Sequence, residues 1–411
     1  MKKYLIPIIL TVAIIAAGAV ILTLRNRGEK PVPIESFIKE SHTSDWYAHQ
    51  ADLWEQRINT KPNDYDAWIN WFIATRNKII FKHQESQKHS RQWQEEDMDF
   101  TPLRDIAARL ANERPNSFAR YYIDFRCSRE INGYECEDNM EKAIAMRPDK
   151  VELYPNYVSY LLPKDNDELM KKILRKWYKS ERFPNTFISY FYNSLAGMGP
   201  NGILIENGDI PVYSTLLVQY GMNKFQDRTM ICVSMLYLPE YRKKICRQLG
   251  IEEFDEPTVY DSKGLREWEQ NVFTTIAQKT GRPLYFTSMM AEVPQYDLDF
   301  KSHLYSEGLV NKYSAVKYDN LAVKRRNFEE VYDTDYLYKK TKTKNKDRYQ
   351  AEDAVNLNYI PCFKSLLTYY KETGNQKQET KLHSLLTHIV DNCSDNTDAS
   401  IRKMYYDEID R

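Results

Sequence analysis

The residues best placed to do chemistry lie in one turn, Ile205-Glu206-Asn207-Gly208-Asp209. A carboxylate, a carboxamide and a glycine meet there, where a short apolar strand hands over to a helix. Ligands of open α/β sheets gather at the carboxyl ends of strands. A helix N-terminus adds unpaired N–H groups that can hold an anion. The plainer reading is that Asp209 caps a helix with Pro211 in its first turn, and that Asn207 and Gly208 only form the turn. Ser234 and Ser288 lie near the ends of two further strands, where packing or turn roles outweigh a nucleophilic one. Asn207, Gly208, Asp209 and Ser234 are therefore candidate ligand-binding residues, and no residue qualifies as catalytic.

Other constellations are weaker. The strand–helix turn carries no G-x-G-x-x-G or P-loop, and no G-x-S-x-G elbow is present. His383 and His388 are five apart and do not share a helix face, and His303 stands alone. Glu252-Glu253 and Glu329-Glu330 read as solvated surface. No cysteine or histidine spacing suits zinc, so neither a metal nor a cofactor is expected. Cys127 and Cys136 are close enough in sequence to pair across one interhelical loop in an oxidising compartment, against the alternative of two buried thiols. Cys232, within Met230-Ile231-Cys232-Val233, reads as core. The 31 tyrosines could line a sugar or peptide groove, although tyrosine at helical spacing is more often core.

These candidates need a scaffold. Strands are expected over Gly202–Asp209, Thr229–Leu238 and Arg282–Thr287, with helices over Pro211–Gly221, Glu240–Leu249 and Leu265–Lys279. That alternation predicts a mostly parallel sheet flanked by helices, with Gly308–Val316 as an edge strand. Upstream, one pattern recurs: an apolar-periodic segment, then Lys61-Pro62-Asn63-Asp64, Arg114-Pro115-Asn116-Ser117, Arg147-Pro148-Asp149-Lys150 and Phe183-Pro184-Asn185. These prolines lie 53, 33 and 36 positions apart. The spacing resembles the tetratricopeptide period of about 34 residues, with His83–Asp97 as an insert in the long first interval. Such units bury their apolar faces only by stacking.

At the N-terminus, Lys2 and Lys3 precede an uncharged segment, Tyr4–Leu24. As a helix it would span roughly 30 Å, the thickness of a bilayer core. The alternative is a signal peptide cleaved after Ala17-Gly18-Ala19, and either reading exports the rest of the chain. The whole sequence then divides into a signal anchor (1–30), a Pro31/Pro33 spacer (31–45), helical repeats (46–198), an α/β module (199–335) and a closing segment (336–411). That last part holds a basic loop, Lys339–Lys346, and a helical hairpin, Phe363–Glu372 with Glu379–Val390. The 58 basic and 58 acidic residues balance, which argues against a nucleic-acid partner.

From Asn201 to about Ile389 the chain resembles the soluble C-terminal region of the DUF2723 family, multi-spanning bacterial membrane proteins classed with glycosyltransferases of the protein O-mannosyltransferase type. The stretches that carry the likeness are Ile205-Glu206-Asn207-Gly208-Asp209, Val233-Ser234-Met235-Leu236 with Tyr241, Gly281–Phe286, Leu304–Val310 and Tyr369–Gly374. The family's multi-helix membrane region is replaced here by one hydrophobic segment and repeats. Its second acid falls on Pro211, and two of its asparagines on Cys232 and Tyr237. The resemblance implies fold and compartment, not transferase activity. The expectation is a mainly α protein with an α/β module, acting as a non-enzymatic, membrane-anchored envelope scaffold. It would bind an envelope protein partner in surface-glycan or secretion machinery. The alternative is a sugar-binding or glycan-modifying module at the crevice near Asp209.

Overall fold

The computed structural model describes residues 29–34, 42–87, 98–128, 137–259, 261–291, 296–338, 350–393 and 397–410. The hydrophobic segment Tyr4–Leu24, Cys136 and the basic stretch Lys339–Lys346 lie outside them. Among the described residues no helix is long and apolar enough to cross a membrane. The chain is mainly helical with one small sheet, and it divides into two compact units, up to Leu153 and from Tyr154 onward.

The first unit holds helices Ser44–Thr60, Tyr65–Gln87, Thr101–Glu113, Phe118–Cys127 and Glu137–Met146. Its proline joints have a common cause. A residue before proline is pushed out of the α region, so the preceding helix must end there. Lys61 (φ −137°, ψ 72°) and Arg114 (φ −142°, ψ 61°) accordingly take nearly the same conformation, each donating its N–H to the carbonyl four residues back. The residue two after each proline restarts the helix: Asp64 Oδ1 accepts from the Ala67 amide at 3.2 Å, and Ser117 Oγ from the Arg120 amide at 3.1 Å. Pro62, Pro115, Pro148 and Pro184 each lie between helical elements. Ile58, Trp68, Phe72, Leu103, Leu110, Ile123 and Met140 are sealed from solvent in this unit. His83–Gln87, expected as part of an insert, continue the second helix.

The second unit is built on five strands: β1 (Ile203–Glu206), β2 (Thr229–Cys232), β3 (Leu284–Thr287), β4 (Leu304–Ser306) and β5 (Val310–Tyr313), in the order β2-β1-β3-β5-β4. Strands β2, β1 and β3 are parallel, but β5 runs antiparallel to β3, and β4 to β5. The sheet is therefore mixed, which corrects the mostly parallel expectation. Among the described residues, short helices Ser288–Ala291 and Leu298–Ser302 lie between β3 and β4, and a tight turn at Glu307-Gly308 then brings the chain back as β5. β4 therefore runs parallel to β3, and the tight turn after it returns the chain as β5, antiparallel to both and inserted between them. The expected edge strand at Gly308–Val316 is β5, inside the sheet, and β4 holds the edge. The apolar run from Thr229 stops being a strand at Cys232 and continues as a 3₁₀ helix, Val233–Tyr237.

Register sets the two faces. Ile203, Ile205, Ile231 and Phe286 face helix Ser262–Thr280, where the Phe273 and Phe286 rings meet at 5.2 Å. Leu204, Glu206, Met230, Cys232, Tyr285 and Thr287 alternate to the opposite face. The C-terminal hairpin forms over Tyr359–Glu372 and Gln376–Asp391, preceded by Gln350–Leu357 and followed by a further helix, Ala399–Asp410.

Candidate functional site

The carboxyl ends of β1, β2 and β3 place three polar side chains in one row on one face. Cys232 pairs in register with Glu206, and Thr287 is one step beyond the Ile205–Phe286 pair. All three are buried, Glu206 completely. Helix Asp209–Leu216 supplies Thr215, whose hydroxyl donates to Glu206 Oε1 at 2.9 Å. Glu206 Oε2 and Thr287 Oγ1 have no protein partner. Burial pushes the Glu206 carboxyl far above the usual carboxylate range, and the single Thr215 hydrogen bond offsets this only in part. With no cation beside it, only the Thr215 hydroxyl favours its ionised form.

Cys232 is held in the same way. Its amide donates to the Tyr241 hydroxyl at 3.0 Å, and its Sγ lies 3.3 Å from Ser234 Oγ. Burial, aided by Asp209 and Glu206 and opposed by the Ser234 contact, pushes the thiol up to about 11. A protonated thiol at that position is no nucleophile near neutral pH.

The four candidate ligand residues fall into separate roles. Asn207 Oδ1 accepts from the Ser234 amide at 3.2 Å, so these two lock the turn after β1 to the turn after β2. Gly208 is the N-cap of helix Asp209–Leu216, with φ +90°, a conformation that glycine adopts without strain. The N-cap is therefore Gly208, with no side-chain cap. Asp209 sits one residue inside the first turn and is exposed. That corrects the capping role expected of Asp209: a carboxylate at the first helical position acts through the helix dipole instead. Ser288 Oγ lies 3.3 Å from the Tyr190 hydroxyl.

A second buried glutamate lies on the other side of the sheet. Glu269, inaccessible to solvent, accepts from Tyr237 at 2.5 Å, Tyr296 at 3.1 Å and Arg266 at 2.5 Å. Burial pushes its carboxyl up, and the Arg266 guanidinium pulls it back. Its three donors satisfy a buried charge, which the lone Thr215 hydroxyl cannot do for Glu206. Neither acid reaches solvent, so neither can exchange a proton with a substrate. Sequence reasoning missed both as site residues. An acid closing the apolar run Ile203-Leu204-Ile205 was the available signal for Glu206, whereas Glu269 looks like an ordinary helical surface acid.

Among the described residues no group of three His, Cys, Asp or Glu side chains could hold a metal ion. Cys127 is buried, and its thiol lies 3.5 Å from the Leu103 carbonyl. The expected partner, Cys136, is outside the described residues. A shallow surface groove of about 420 Å³ lies away from the strand ends, lined by Lys364, Ser400, Lys403, Met404, Asp407 and Glu408. No family model and no curated protein matches the chain.

Proposed function

We propose that this chain is a non-enzymatic envelope protein, held in the membrane by Tyr4–Leu24, whose helical repeats and α/β unit bind another protein. The setting that fits the DUF2723 resemblance is surface-glycan or secretion machinery. One observation carries the choice against an enzyme. The strand-end crevice, where such a sheet would hold a ligand, is occupied by its own side chains: Glu206, Thr215, Cys232 and Tyr241 are all buried. The repeated proline joints, two of them with matching backbone geometry, support stacked helical units, a common platform for protein partners.

The alternative, a sugar or glycan module at the same crevice, draws on exposed Asp209 beside half-buried Asn207 and Ser234. Affinity capture with the full-length chain separates the two. The scaffold reading expects one envelope protein recovered in near-equal amounts from wild type and from an Asp209→Asn/Ser234→Ala variant. Recovery of an oligosaccharide that the variant loses would replace it with the alternative.

A further inference from the structure

Helix Asn320–Arg326 packs against helix Tyr359–Glu372. At that contact Lys324 is only 4 % exposed. Its Nζ donates to Ser365 Oγ at 2.8 Å, and no carboxylate among the described residues pairs with it. Burial without a counter-ion pushes its amine below the usual lysine range. A buried amine of this kind gains most from an anion brought within reach.

The surrounding groups supply the rest of such a site. Ser365 is exposed, and because its oxygen accepts from Lys324, its own O–H is left to donate outward. Arg325, also exposed, reaches the same face: its Nη1 lies 3.3 Å from the Tyr369 hydroxyl, and Tyr369 is one helical turn beyond Ser365. The neighbouring acid, Glu329, is engaged by the Tyr370 hydroxyl at 2.6 Å. We propose that Lys324, Arg325 and Ser365 form a surface site for a dianionic phosphate monoester. Two cations match its two charges, the guanidinium suits bidentate contact with two of its oxygens, and Ser365 donates to a third. Tyr369 positions Arg325. The site stands apart from the scaffold reading and does not depend on it.

The test is a ³¹P NMR titration of the full-length chain at constant ionic strength. Inorganic phosphate and glycerol 3-phosphate probe the monoester, and glycerophosphoglycerol probes the diester of a lipid headgroup. The expected result is saturable binding of the first two. Arg325→Gln, a surface change, and Ser365→Ala, whose folding is checked by circular dichroism because it also removes the Lys324 partner, should each weaken it roughly tenfold, as loss of a hydrogen bond to a charged group does. Non-saturable broadening, binding by either variant as tight as by wild type, or a diester bound as tightly as the monoester would overturn the proposal.

Discussion

Glu206 and Asp209 are three residues apart and sit in opposite environments, one sealed and one exposed. The consequence for Glu206 is a specific pH dependence. Its folded carboxyl lies above the value of about 4.3 expected in the unfolded chain. Between the two, the folded state holds the extra proton, so stability falls as pH rises, by at most about 1.4 kcal/mol per pH unit. Glu206→Gln cannot ionise. Its melting temperature should therefore gain on wild type as pH rises above about 4.3; a gap independent of pH would contradict a carboxyl raised by burial. For Asp209, the position inside the first turn predicts that Asp209→Asn and Asp209→Ala cost about the same. Each loses the charge at the helix dipole, worth roughly 0.3–1 kcal/mol. Denaturant midpoints of the two variants check this. A much larger loss in Ala than in Asn would restore the side-chain cap.

At the scale of elements, the β4–β5 turn is the most constrained piece of backbone. Gly308 has φ +111°, and a Cβ there would lie 2.6 Å from the Tyr332 hydroxyl, which accepts from the Leu309 amide at 3.1 Å. Gly308→Ala combines left-side backbone strain with a collision that breaks this hydrogen bond, and should cost about 2 kcal/mol or more. Chemical denaturation would show it, and a loss below about 0.5 kcal/mol, the range of ordinary surface changes, would mean the turn relaxes freely. The same hairpin marks the limit of what the sequence disclosed. The run Ile203-Leu204-Ile205 announced β1 because four consecutive buried positions need an apolar run. Leu304-Tyr305-Ser306 is three half-buried residues, too short for any period to declare itself. The end of β2 was lost for a related reason. Val233-Ser234-Met235-Leu236 continues the apolar pattern, and only the backbone distinguishes a strand from the 3₁₀ turn it adopts. The proline joints were legible because proline acts locally on the residue before it. The identity of the N-cap was not, because it depends on a positive φ at Gly208 that a capping-competent Asp next door disguises.

At the scale of the whole molecule, the proposed anchor precedes two folded units, the second of which buries the polar row at its strand ends. The proposed anchor makes its own prediction. A reporter fused after Arg411 should be active only when it is a type that functions outside the cytoplasm, and activity of a cytoplasm-dependent reporter would overturn the exported placement. The choice of scaffold over enzyme rests on the crevice, and Cys232 lines it from β2, beside Glu206. Peptide-resolved alkylation of the native chain reads its accessibility directly. A filled crevice predicts that Cys232, buried and with its thiol pushed up to about 11, is labelled no faster than the chain unfolds. Labelling of Cys232 within minutes, while circular dichroism shows the fold intact, would contradict the account and reopen the strand ends as a working site.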